Sequence, residues 1–143
     1  ITALIRQARR WKQERNIGIL FVDYIQKIKG TDRRMITVER VTEVVNSLKD
    51  LARELQIPVV ALAQVNREAD KLSGPPEPSH LADASACEKE ADAIITMYRD
   101  DQMREHNTTL LHICKNRHGP TGDVLVNYEG RFFKFTDTQR GAA

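Results

Sequence analysis

The chain has 143 residues and a mass of 16.3 kDa, with 41% hydrophobic and 29% charged residues. These proportions are typical of a soluble globular protein and exclude collagen-like chains, disordered chains and small disulfide-stabilised domains. No apolar run approaches the roughly 20 residues that span a bilayer. We therefore expect one domain over residues 1–143, with no membrane partner, in the cytoplasm. The sequence begins at Ile1 on a helical pattern, and we expect it to be part of a longer protein.

The net charge of +2 conceals an uneven distribution of charge along the chain. Residues 1–34 carry nine Lys or Arg and three acidic residues, a local charge of +6, whereas residues 67–104 carry five basic and nine acidic residues, a local charge of −4. A basic segment can neutralise phosphates and gain affinity by counterion release. The cations of residues 6–15 fit the solvated face of a helix. Those around Gly30 lie in a predicted loop and are candidate phosphate contacts: Lys27, Lys29, Arg33 and Arg34.

The hydrophobic pattern predicts alternating helices and strands. Apolar residues recur at helical spacing over 1–15 and again over 38–55, where Thr37 is the predicted N-cap. The apolar runs 17–22 and 59–63 predict strands that are buried on both faces. There follow a proline-rich loop over 73–79, a short helix, strands over 93–98 and 109–114, a turn over 116–122, and a hairpin of 123–127 with 131–135. This order predicts an α/β fold, a mostly parallel sheet flanked by helices and followed by an antiparallel C-terminal hairpin.

Polar residues follow the predicted strands, at the edge where open α/β sheets bind their ligands. Asp23 comes directly after the first strand, as in a Walker B motif, where an Asp orients the water shell of a nucleotide-bound Mg²⁺. A capping or turn role is the alternative. Gln64 follows the second strand and could sense a γ-phosphate or hold the attacking water, or it could only satisfy the strand end. Lys115 and Arg117 precede a rigid turn and could clamp a phosphate or act as an arginine finger, or they could form a solvated tip.

The ordered series of motifs resembles the C-terminal motor domain of DnaB-type replicative DNA helicases, which are hexameric ATPases with a RecA-like core. The resemblance covers nearly the whole chain. It rests on five segments: VDYIQ at 22–26, PVVALAQVNR at 58–67, EKEAD at 88–92, YRDD at 98–101 and KNRHGPTG at 115–122.

The resemblance implies a role for each candidate residue. Asp23 would position Mg²⁺ through water, and Gln64 would report the γ-phosphate state of ATP to the DNA-binding loops. Tyr24 would line the same site or only close the strand end, while Lys115 and Arg117 would act in trans on the ATP site of a neighbouring subunit. The implied DNA contacts are Lys27, Lys29, Arg33, Arg34, Arg67, Asp83 and Ser85. The implied partners are single-stranded DNA, further copies of the chain in a hexamer, a primase and a helicase loader, in a bacterial cell or a phage-infected host.

The sequence departs from the family pattern in two places. It contains neither the phosphate-binding loop GxxxxGK[ST] nor the catalytic Glu of the following strand, so we expect a domain that is incomplete at its N-terminus and does not hydrolyse ATP alone. The family's Arg-Glu-Ser-Gly stretch, which grips the DNA backbone, is replaced by Ala82-Asp83-Ala84-Ser85. This second departure shifts the expected DNA contact to the basic residues around Gly30.

Three functions therefore stay open. The first is the ATP-driven motor of a replicative helicase that translocates on single-stranded DNA and unwinds duplex at the fork. The second is a RecA-like module that binds DNA or acts as a scaffold without hydrolysis, which the altered stretch Ala82–Ser85 favours and the joint presence of the Walker B Asp, the sensor Gln and the two trans cations opposes. The third is another RecA-like ATPase, such as a recombination type, which the segments 58–67 and 115–122 match less well.

Overall fold

The structure is a computed structural model that describes residues 1–32, 34–66, 74–81 and 85–138. The chain divides into two compact units, the first made of Ile1–Asn66 and Leu81–Ala91 and the second of Arg67–His80 and Asp92–Ala143. Each unit has its own sheet. In the ranges that the structure describes, no helix is long and apolar enough to cross a membrane.

The first unit combines helices with a parallel pair of strands. Its elements are α1 (Thr2–Arg15), β1 (Leu20–Val22), a 3₁₀ turn (Ile25–Lys27), α2 (Thr37–Leu55), β2 (Val59–Ala61) and α3 (Ser85–Glu90). Leu20 pairs with Val59 and Val22 with Ala61, in parallel register. The C-cap of α1 is Asn16, whose left-handed backbone (φ 46°) ends the helix as the sequence predicts.

The core of the first unit forms along α2. Val41, Val44, Leu48 and Leu51 follow one another at spacings of three and four residues, and all four side chains are buried. This spacing places them on one face of the helix. Burial of each such side chain contributes about 1.5–3 kcal/mol, so this stripe is a large part of what holds the first unit together.

Two predictions for the first unit are wrong. Thr37 is the first residue of α2 and not its N-cap; the cap position belongs to Ile36, whose backbone is extended and whose side chain offers no hydrogen bond. The early strands are not buried on both faces, since Phe21 is 64% exposed and Val60 41% exposed while Leu20 is buried. Successive side chains of a strand point to opposite faces. The described elements therefore bury Leu20 and Val22 on one face and leave the face of Phe21 and Val60 accessible.

The second unit contains a four-stranded antiparallel sheet in the order β3-β4-β5-β6. Its strands are β3 (Ala93–Tyr98), β4 (Thr108–Asn116), β5 (Gly122–Glu129) and β6 (Lys134–Asp137). The antiparallel sheet thus contains the predicted hairpin, formed by β5 and β6, and also the two strands before it, β3 and β4. A short helix that the sequence pattern did not predict, α4 (Asp101–Glu105), begins where the Asp100 carboxylate accepts the Met103 N–H at 2.7 Å.

The predicted hairpin forms, but its second strand begins later than expected. Residues 130–133 make the turn, and β6 starts at Lys134. Phe133 sits in this turn with a left-handed backbone (φ 49°) and is 82% exposed. Phe132 is 65% exposed, so neither ring packs against the sheet as an alternating strand pattern predicts. Phe135 does pack there, with its ring centroid 4.6 Å from that of Tyr128.

Candidate functional site

The carboxyl ends of β1 and β2 bring two of the predicted site residues to one edge of the parallel pair. Backbone pairing continues past both strands, because the Leu62 N–H donates to the Val22 carbonyl at 2.9 Å and the Ile25 N–H donates to the Leu62 carbonyl at 3.0 Å. Asp23 follows β1 directly, and Gln64 follows β2. The Asp23 side chain is exposed, and no other described residue bonds to its carboxylate. This carboxylate is therefore open to a water or a hydrated cation.

Gln26 joins the two strand ends. Its side-chain oxygen accepts the Gln64 N–H at 3.2 Å, and its side-chain nitrogen donates to the Gln64 carbonyl at 3.4 Å. The amide of one glutamine thus pairs with the backbone of the other and leaves the Gln64 side chain out of this contact. The sequence pattern placed Gln26 in the VDYIQ segment without a role. Its position three residues after Asp23, just beyond a strand, was the available signal.

Tyr24 contacts a cation and lines a predominantly apolar cavity. The Lys27 ammonium stands 5.8 Å from the centroid of the Tyr24 ring, within the range of a cation–π contact. Tyr24 and Lys27 both line a cavity of about 300 Å³, together with Leu4, Trp11 and Phe21. The cavity is predominantly apolar, so it does not resemble a phosphate site. The nucleotide-binding role of Tyr24 stays a prediction.

Residues 27–36 form what we call the basic loop. Lys27, Lys29 and Arg34 are exposed in it, and the Arg34 guanidinium lies 3.6 Å from the Asp32 carboxylate. Lys29 also lines a second cavity, of about 510 Å³, with Arg40 of α2. Arg40 is a cation that the sequence pattern did not single out, because it lies on a helix and not in the loop. Of the remaining predicted DNA contacts, Arg33, Arg67 and Asp83 lie outside the described residues, and Ser85 is exposed at the start of α3.

The basic loop is attached to α2 through Glu43. The Thr31 N–H donates to one oxygen of the Glu43 carboxylate at 3.0 Å, and the Thr31 hydroxyl donates to the other at 2.6 Å. These two hydrogen bonds hold the pKa of Glu43 below its usual value, and the bond from the Thr31 hydroxyl has the larger effect. Glu43 is therefore ionised at neutral pH, with its charge directed at the loop.

Lys115 and Arg117 belong to the second unit, where Lys115 lies near the end of β4 and Arg117 begins the turn that follows. The turn is held by Asn116, whose side chain donates to the Pro120 carbonyl at 3.2 Å and accepts the His118 N–H at 3.2 Å. The Arg117 guanidinium lies 3.2 Å from the Asp92 carboxylate, and the Arg117 N–H donates to the Asp92 carbonyl at 2.8 Å. Arg117 remains 44% exposed. The Arg117 guanidinium can therefore bind an external anion once it has released the Asp92 carboxylate.

The same sheet holds a histidine and a cysteine for which the sequence pattern predicts no chemistry. His112 faces two carboxylates, with Nδ1 2.6 Å from Asp123 and Nε2 3.5 Å from Glu77. The Cys114 sulfur lies 3.4 Å from the Ile94 carbonyl. Burial raises the pKa of the Cys114 thiol, which disfavours the reactive thiolate. We therefore assign Cys114 to packing and not to nucleophilic chemistry.

Comparison with known proteins identifies relatives over nearly the whole chain. Residues 1–137 match the model of the DnaB-like helicase C terminal domain family. The replicative DNA helicase DnaB of Rickettsia bellii is 33% identical over 97% of this chain, and that of Geobacillus stearothermophilus is 34% identical over 94%. The chain spans only 33% and 31% of the length of these two relatives.

Solved structures give the same result for the fold. A DnaB-like replicative helicase, described with its interactions with primase, superposes with a TM-score of 0.87 at 27% identity, over 95% of this chain and 34% of that one. A second solved structure, of an ATPase domain, gives a TM-score of 0.86 at 27% identity, over 95% of this chain and 50% of that one. The predicted family and the RecA-like α/β fold class are confirmed.

Proposed function

This chain belongs to the DnaB-like helicase C-terminal domain family, and we propose that it is part of the ATP-driven motor of a hexameric replicative DNA helicase. In this proposal the full-length protein translocates on single-stranded DNA and unwinds duplex at the fork. The observation that carries it is the pair Asp23 and Gln64, which follow two parallel strands whose ends Gln26 ties together.

The first unit supplies part of a nucleotide site in this proposal. An exposed carboxylate at a strand end suits a hydrated Mg²⁺, because this ion keeps several waters and takes oxygen ligands. Asp23 would hold such a water, and the Gln64 amide, both donor and acceptor, would orient a water or sense a phosphate. Bound Mg²⁺-ATP supplies the phosphoryl group whose transfer to water drives movement. The phosphate-binding loop of the family is not among these 143 residues, so hydrolysis is proposed for the full-length protein.

The second unit supplies cations to a neighbouring subunit in this proposal. Lys115 and Arg117 would approach the neighbour's phosphates, where an arginine stabilises the charge that develops during phosphoryl transfer. The turn fixed by Asn116 supports this role, since a catalytic cation needs a defined position. Action in trans requires a closed oligomer in which each subunit completes the site of the next.

The remaining partners are proposed on similar grounds. The basic loop, with Arg67, Asp83 and Ser85, would contact the backbone of single-stranded DNA. A structural relative is described with primase, and we extend a primase partner to this chain, together with a helicase loader. The setting would be the cytoplasm of a bacterial cell or of a phage-infected host.

The trans role is tested by Lys115→Ala and Arg117→Ala in the full-length protein. We expect each substitution to reduce kcat for ATP at least about 1,000-fold, the range of an arginine finger, while nucleotide binding changes little. Stopped-flow binding of a fluorescent ATP analogue and steady-state hydrolysis measure the two effects separately. An equal loss of binding and hydrolysis would contradict the assignment.

Asp92→Ala is the matched control for Arg117. It removes the carboxylate that lies 3.2 Å from the guanidinium and leaves the arginine in place. If Arg117 serves only as the partner of Asp92, both variants lose the same interaction and have the same activity. We expect Asp92→Ala to keep most of the ATPase activity.

A further inference from the structure

The contact between the basic loop and α2 centres on one carboxylate. Both oxygens of Glu43 accept a hydrogen bond from Thr31, one from the backbone N–H at 3.0 Å and one from the hydroxyl at 2.6 Å. The two residues are 12 positions apart in the sequence. A carboxylate that accepts two hydrogen bonds from a single residue fixes both the backbone and the side chain of that residue.

The backbone beside Thr31 lies close to the side chains of Met35 and of two residues of α2. A Cβ atom on Gly30 would stand 2.7 Å from the Glu43 carboxylate, 3.2 Å from the Met35 sulfur and 3.3 Å from Cγ of Arg40. At the first of these distances a side chain on residue 30 would push the carboxylate away from Thr31, so the approach suits glycine. Gly30 and Thr31 together therefore form a docked segment in the middle of the basic loop.

One of the loop cations is the immediate neighbour of this docked segment. Lys29 precedes Gly30 and lines the cavity of about 510 Å³ that Arg40 also lines. Within the described residues Glu43 forms no ion pair with Lys27, Lys29 or Arg34. None of these loop cations therefore has to break an ion pair with Glu43 before it contacts an external anion.

We propose that Glu43 is a positioning residue of the DNA-binding surface, which docks the basic loop on α2 and presents Lys29 beside Arg40 to the phosphates of single-stranded DNA. This inference rests on the proposed DNA-binding role of the basic loop. It assigns to the cationic basic loop one acidic residue, which contacts no phosphate itself and acts only through Thr31 and Gly30.

The sign of the effect distinguishes positioning from simple electrostatics. A surface carboxylate near a DNA site repels phosphates, so its removal strengthens binding. Glu39 lies one turn earlier on α2, is exposed, and forms no bond among the described residues. Glu39→Ala and Glu43→Ala remove the same charge from the same helix. Only the second releases Thr31.

The experiment measures binding of a labelled oligothymidylate to the full-length protein over a range of salt concentrations. We expect Glu43→Ala to weaken binding about fivefold, because the loop loses an attachment that contributes about as much as one net hydrogen bond. Glu39→Ala should leave binding unchanged or slightly tighter. Glu43→Gln should restore most of the affinity, because its amide can accept the Thr31 N–H and donate to the Thr31 hydroxyl. Equal or tighter binding by Glu43→Ala would overturn the inference.

A second set of variants separates this inference from the function on which it rests. Substitution of Lys27, Lys29, Arg33 and Arg34 by Ala should reduce the slope of log K against log salt by about 0.7 for each phosphate that the loop no longer neutralises. An unchanged slope would mean that the basic loop does not bind DNA, and the proposed role of the loop would fail. A reduced slope, with no loss of affinity in Glu43→Ala, would overturn the role of Glu43 alone.

If the Glu43→Ala protein does not assemble, Thr31→Val tests the same contact. It removes the hydroxyl donor and retains the backbone N–H that bonds to Glu43. A smaller loss of affinity in the same direction is expected, and affinity equal to that of the unsubstituted protein would count against the inference.

Discussion

Single hydrogen bonds decide which candidate side chains are available for chemistry. Asp23 is exposed without a bond from another described residue, whereas Arg117 is held by Asp92 at 3.2 Å. Both oxygens of Glu43 accept hydrogen bonds from Thr31, and Glu43 forms no ion pair with Lys27, Lys29 or Arg34 among the described residues. Only some of the charged residues in these segments are therefore available to bind a ligand without first breaking a contact.

The ion pair between α1 and α2 makes stability depend on pH. Two guanidinium nitrogens of Arg9 lie 2.7 Å from the two carboxylate oxygens of Glu54, and the hydrogen bond from Arg9 holds the pKa of Glu54 below its usual value. A lowered folded-state pKa gives stability that is complete above the unfolded-state pKa and is lost as pH falls through the folded-state pKa. We expect Glu54→Gln to lower the free energy of unfolding slightly at pH 7 and to have no effect in acid, well below about pH 4.

Urea unfolding at both pH values measures this difference. Glu14→Gln is the control, because Glu14 pairs with Arg10 inside one helix and joins no two elements. An effect of Glu54→Gln that is the same at both pH values would contradict the linkage between this bridge and stability.

At the scale of elements, α2 is the helix that organises the first unit. It carries the buried stripe, receives the basic loop at Glu43 and is followed directly by β2, which leads to Gln64. Because one helix connects these features, its packing supports both the core and the candidate site.

The packing of α2 is tested by Leu51→Ala. Leu51 is 1% exposed, so truncation removes apolar contacts and leaves a cavity. We expect the free energy of unfolding to fall by about 2–5 kcal/mol. Val38→Ala, at a position of the same helix that is 46% exposed, should change it by less than about 1 kcal/mol. Equal effects in thermal or urea unfolding would contradict the assignment of the buried face.

The elements were predictable where periodicity is strong, and their ends and surroundings were not. The spacing of Val41, Val44, Leu48 and Leu51 indicates one helix face directly. The cap of α2 could not be predicted, because Ile36 has no side-chain oxygen that would signal it. The exposure of strand residues such as Phe21 could not be predicted either, since an apolar strand has the same sequence whether one face or both are covered.

The candidate site was predictable where a residue follows a strand. Asp23 and Gln64 have this position, and their chemistry suits it. Gln26 and Glu43 were missed because their roles depend on contacts with residues 38 and 12 positions away. Such contacts exist only after β1, the basic loop, α2 and β2 have packed together.

At the scale of the whole molecule, the proposed roles divide between the two units. Asp23 and Gln64 belong to the first unit, and Lys115 and Arg117 belong to the second. The first pair is proposed to serve the nucleotide of its own subunit, and the second pair the nucleotide of a neighbour. The central claim is therefore that one active site draws on two copies of the protein.

Subunit mixing tests this claim most directly. Asp23→Asn and Arg117→Ala are prepared separately as full-length proteins, each expected to lack ATPase activity, and are then assembled together. When equal amounts mix at random, sites that combine an intact Asp23 from one subunit with an intact Arg117 from the next should form at roughly a quarter of the interfaces, and activity should reappear to about that extent. Mixed oligomers that form and stay inactive would contradict action in trans.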